Sequence, residues 1–202
     1  VTEFTWWGSF TNWTGAEPPQ LPDYFHLAIW NDVPANVDAP YSHPGQVLWT
    51  IDAPSLDYTW QFAGWDYDPR TGLYETCFVF NFQVPEADAF LQAAGENIYW
   101  LSIGAGYANG VGQYPWGWKT LPRDAASAAP DAAVRMTTTS PVIGAPFPGG
   151  SPITWPTDDD QWDLAFELGS KTSGSGQKWD QPADLTGMDV LDGPYYNPQM
   201  LQ

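Results

Sequence analysis

Few residues in this chain have the type and spacing to do chemistry, and the acidic ones come first. Asp66 and Asp68, with Gly72 following, set oxygen ligands at alternate positions of a tight turn, and Asp158, Asp159 and Asp160 form a second cluster. Carboxylates so spaced suit a hard cation such as calcium. Neither group completes the twelve-residue loop with its terminal bidentate Glu, so a solvated acidic turn is the plainer reading of each. The 13 tryptophans are the second signal. Trp65, Trp116 and Trp118 stand in or beside loops, where a large ring either caps the core or offers a flat platform to a sugar. His26 and His43 have no Ser or Cys in a nucleophile elbow. They are also too few for an ordinary transition-metal site. The 18 Asp and 6 Glu offer many carboxylate pairs for glycoside hydrolysis, but none lies in a diagnostic motif. Cys77 is the only cysteine. It reads as a buried small hydrophobe or as half of a pair completed outside this chain.

The charge balance narrows the partners. With 24 acidic residues against 6 basic ones, the net charge is −18. Nucleic acid and anionic membrane surfaces are excluded, because both need Lys and Arg to neutralise phosphates. Calcium, neutral polysaccharide or solubility itself suits such a surface. No run approaches the roughly 18 apolar residues of a membrane span.

These residues need elements to hold them, and the strongest is Asn97–Tyr107. There Tyr99, Leu101 and Ile103 alternate with Trp100, Ser102 and Gly104. Both faces are apolar or small, which predicts a central strand covered on both sides. Similar alternation marks Thr2–Gly8, Tyr24–Asn31, Gln46–Ile51, Tyr58–Phe62, Tyr74–Phe82 and Trp162–Leu168, with edge strands near Ala133–Thr138 and Ile153–Trp155. Asp66–Gly72 reads as an exposed polar turn, and Glu86–Ala94 as a helix of about two turns. Twenty Pro and 19 Gly punctuate the rest. This predicts an all-β antiparallel sandwich of jelly-roll type over residues 1–168. Residues 169–178 form a Gly/Ser linker. Residues 179–202 carry Trp179, Leu185, Met188, Val190, Tyr195 and Tyr196, too apolar for a free tail and too sparse to fold alone.

The phrases WWGSF, FHLAIWNDVP, SHPGQVLW, ETCFVF, IYWLSIGAGY, YPWGWKT, DAAVR and WDLAFEL together resemble an uncharacterised Trp-rich domain. That domain occurs, often in tandem and beside surface-sorting signals, in secreted proteins of planctomycete-like environmental bacteria. The resemblance runs from Val1 to about Leu168 and implies an extracellular or cell-surface location, with no established activity. KWDQPADLTGMDV looks like the phrase that introduces a following copy. There an Asp-Asp-Trp-x-Cys segment typically follows, so any family disulfide to Cys77 would have its other half beyond this sequence.

The expected function is therefore a non-catalytic structural or adhesive module. Its tail docks on a neighbouring copy, since an open sheet edge accepts an added strand. The alternative is a carbohydrate-binding module stacking a glycan on Trp65, Trp116 and Trp118, and a glycoside hydrolase is third.

Overall fold

The computed structural model describes residues 1–68, 72–95, 97–123, 132–154, 162–170 and 199–201. Alternation of large apolar and small or polar residues makes these segments strands. β1 (Glu3–Phe10), β2 (Tyr24–Val33), β3 (His43–Pro54), β4 (Tyr58–Asp68), β5 (Leu73–Gln83) and β6 (Tyr99–Gly106) form the frame. The shorter β7 (Trp116–Trp118), β8 (Thr120–Pro122), β9 (Val134–Met136), β10 (Gly150–Pro152), β11 (Trp162–Leu164), β12 (Phe166–Gly169) and β13 (Gln199–Leu201) complete it.

Two antiparallel sheets face each other. One runs β12-β1-β5-β4, with β7 also paired to β1; the other runs β10-β9-β13-β6-β2-β3. β8 and β11 make a separate pair. Between the sheets Trp6 meets Phe25 edge-on at 5.0 Å and stacks on Phe80 at 5.8 Å. Phe4, Phe10, Leu27, Ile29, Phe78, Phe82, Leu101 and Ile103 fill the surrounding space. This is the expected all-β antiparallel sandwich, and the expected central strand is β6, flanked by β2 and β13.

The far side of the second sheet has a core of its own. Trp30 and Trp100, both fully buried, pack there with Ala28, Val47, Val134 and Met136. Each indole N–H has a partner: Trp30 donates to Ser102 Oγ at 3.1 Å and Trp100 to Asp32 Oδ1 at 2.8 Å. Such a handle lowers the cost of burying an indole, because an unpaired N–H away from water is unfavourable; Trp6 and Trp116 in the main core are buried without one.

Local readings change at two places. Glu86–Ala94 is not a two-turn helix: a single 3₁₀ turn, Glu86–Asp88, starts at Pro85 without a side-chain cap and ends at Ala89 with ψ 136°. The chain then runs on so that Phe90 is buried against Trp49 and Tyr99, at 6.4 and 5.3 Å between centroids. Core contact overrides a weak helical preference. Asp66–Asp68 is likewise not an exposed turn but the end of β4, paired with β5 through Asp66↔Glu75 and Asp68↔Leu73.

Candidate functional site

The β4–β5 hairpin carries the densest exposed aromatic surface among the described residues. β4 is an edge strand, and Phe62, Trp65, Tyr67, Leu73 and Tyr74 on this hairpin are all exposed. Phe62 meets Trp65 edge-on at 4.7 Å, and Tyr67 lies 5.4 Å from Tyr74. Trp65, 58% exposed, is held in place by its indole N–H, which donates to the Thr14 carbonyl at 3.1 Å. Exposed rings anchored at one edge suit stacking on a flat ligand.

Trp116 and Trp118 do not join that platform. They are 6% and 2% exposed and sit in the main core. Their Pro and Gly neighbours suggest a loop, yet Trp-Gly-Trp alternates as a strand and pairs with β1. Both rings therefore point inward. Gly8 makes room, since a Cβ there would lie 2.2 Å from the Trp116 ring. Trp118 also donates its N–H to the Ala165 carbonyl at 2.9 Å.

On the same hairpin lies a cluster of buried charge. Lys119 is wholly buried, and its Nζ stands 3.2 Å from Oδ2 of Asp66, whose side chain is 14% exposed. Both backbone groups of Lys119 are fixed, its N–H to the Trp7 carbonyl and its carbonyl by the Ala165 N–H. Glu75, also buried, lies directly across the ladder from Asp66. Its carboxylate accepts the Asn12 N–H at 2.6 Å and the Ser9 hydroxyl at 3.5 Å. The register sets Ser9 beside Cys77 and Cys77 beside Gly64, so small residues cross three strands at this level. Burial pushes the Cys77 thiol up to about 11, Lys119 pulling against the shift and Asp66 adding to it. It is a free, buried thiol.

Of the acidic residues expected to hold calcium, Asp66 and Asp68 are described. Asp66 faces Lys119, and Asp68 is 2% exposed. Among the described residues no three His, Cys, Asp or Glu side chains gather at a metal-binding distance. Asp158, Asp159 and Asp160 lie outside the described residues, as do Trp179, Leu185, Met188, Val190, Tyr195 and Tyr196. The histidines hold structure together. His26 bridges Asp52 and the Pro141 carbonyl at 2.6 and 2.8 Å. His43 bridges Asp38 and the Pro44 carbonyl at the same two distances. Neither ring has a nitrogen left for a metal or a substrate.

Sequence reasoning missed Lys119, although a signal was present. It is one of only three lysines, and it follows Trp118 in an alternating aromatic run. A second feature lies in the other sheet. β13 sits between β6 and β9, in register Met200↔Ser102 on one side and Met200↔Val134 on the other. A segment from the far end of the chain therefore fills a slot in this sheet.

A family model described as Domain of unknown function (DUF7901) matches residues 1–169. This is an uncharacterised domain family, and it covers every strand except β13. No curated protein and no solved structure matches the chain.

Proposed function

We propose that this chain, which belongs to the DUF7901 family, is a non-catalytic structural or adhesive module of a bacterial surface, joined to copies of itself through its C-terminal segment. The support for the joining is the seat of β13. Residues 199–201 bond on both sides within the sheet, to β6 and to β9. A strand held this way brings backbone hydrogen bonds whichever copy supplies it, so exchange between copies needs no new interface. The tandem arrangement implied by the resemblance would set such segments next to neighbouring domains. The strongly acidic surface fits solubility outside the cell and gives nucleic acid nothing to bind.

Deleting residues 179–202 and measuring mass in solution by light scattering tests the reading. The full chain is expected to associate as its concentration rises, and the truncated chain to remain monomeric. A full-length chain that stays monomeric at high concentration, with the deletion altering only its stability, ends the exchange proposal.

A second reading rests on the exposed aromatics of β4 and β5. It is a carbohydrate-binding module, with Trp65 stacking on a neutral glycan beside Phe62, Tyr67 and Tyr74. Saturable retention on an insoluble neutral polysaccharide, lost in Trp65→Ala, would favour it over the scaffold. Release of soluble sugar from the same polymer would point instead to hydrolysis.

A further inference from the structure

We propose that Lys119 and Asp66 join in an intramolecular isopeptide bond, formed by the folded chain itself with Glu75 as the proton carrier. The geometry assembles the three necessary groups. The amine is wholly buried, and the carboxyl group it would attack is within 3.2 Å of it. The second carboxyl, that of Glu75, lies directly opposite Asp66 on the adjacent strand, where facing side chains come within about 5 Å of each other at Cβ.

The chemistry begins with a proton. Transfer of one proton from Lys119 Nζ to the Asp66 carboxylate makes the amine a nucleophile and the carboxyl an electrophile. The nitrogen lone pair forms the N–C bond to Cγ of Asp66. Glu75, as a carboxylate, takes a second proton from that nitrogen and gives it to the departing hydroxyl. The C–O bond breaks, water leaves, and Glu75 ends as it began. No oxidant, metal or cofactor takes part. Holding the reactants in one packed geometry supplies the rate, as in any well-oriented intramolecular reaction.

The surroundings favour the product. Two buried charges are replaced by one neutral amide, which removes a desolvation cost that ion pairing only partly offsets. Glu75 accepts the Asn12 N–H and the Ser9 hydroxyl, which keeps its carboxylate aimed while it works. The bond would tie the residue after β7 to the edge strand β4, across β1 and β5 that lie between them. Such a staple suits a module that carries load, although its chemistry does not depend on that role.

Intact-mass spectrometry of the denatured full-length chain tests the proposal directly. The expected mass is one water below that of the sequence. Proteolysis followed by tandem fragmentation should place the loss in a branched peptide joining Lys119 to Asp66. Lys119→Arg and Asp66→Ala should restore the full mass. Glu75→Gln, nearly the same shape, should slow or abolish the loss while circular dichroism stays that of the parent. A folded parent that keeps its full mass after days at room temperature overturns the bond. So does a water loss mapped to another site, such as a succinimide at Asp192–Gly193. Full bond formation in a folded Glu75→Gln protein overturns the role of Glu75.

Discussion

The outer faces of the two sheets are sealed in opposite ways. Behind β2 and β6 the cover is apolar, with Trp30, Trp100, Val134 and Met136 closing over Ala28 and Val47. Around β1, β4, β5 and the end of β7 the buried groups are Lys119, Glu75, Asp68 and Ser9, with Asp66 nearly covered. The first arrangement needs no explanation beyond burial of apolar area. The second is the costlier way to close a sheet, because buried ions are at best a partial bargain against well-packed hydrocarbon. Charge kept in such a place points to chemistry or to a specific geometry. The contrast also divides the tryptophans, since the buried ones hold the fold and Trp65 alone of the expected platform remains available to a ligand.

The contrast can be broken from the apolar side first. Trp100→Ala removes a fully buried ring and leaves Asp32 without the indole donor. The expected loss is about 3–5 kcal/mol in urea unfolding, enough to endanger the fold. On the charged side Asp66→Ala takes the facing carboxylate away from the buried Lys119 ammonium, at a cost of about 3–5 kcal/mol. Pairing it with Lys119→Met sharpens the comparison. If the two are only an ion pair, the double variant should regain most of the loss. If they are covalently joined, it should stay well below the parent, because the staple is gone.

The β8–β11 pair supplies a pH test. Burial pushes the Asp163 carboxyl up to about 7, against the opposing pull of Arg123 and a backbone hydrogen bond at Ala133. The folded chain then holds a proton that the unfolded chain releases near pH 4. Stability from this group is present below that pH and is lost as pH rises toward about 7. The change is up to about 4 kcal/mol across the window, and Asp163→Asn should flatten it in urea midpoints taken from pH 4 to 8. Gly8→Ala comes next. A Cβ at Gly8 would lie 2.2 Å from the Trp116 ring. Overpacking of that kind costs roughly 1–3 kcal/mol, read as an earlier urea midpoint. Trp65→Ala should move stability by no more than about 0.5 kcal/mol, since the ring is exposed. A larger drop would mean that Trp65 also braces the fold through Thr14.

Alternation alone determined a good deal. Leu101 and Ile103 had to face one way and Trp100 the other, which makes Tyr99–Gly106 a strand covered on both sides. The period of two is local, a consequence of backbone geometry, and so it survives in the sequence. The same rule, applied to Trp116-Gly117-Trp118, would have turned both rings inward, but flanking Pro and Gly hid a three-residue strand. What the tertiary structure alone decided is which distant segments meet. Lys119 reaches Asp66 because β7 pairs with β1 while β5 carries β4 alongside, a coincidence of register between separate hairpins. Phe90 halts a helix for the same reason, since its burial beside Trp49 and Tyr99 depends on strands far along the chain. Such pairings are set by the packing of the whole sandwich, and no window of neighbouring residues contains them.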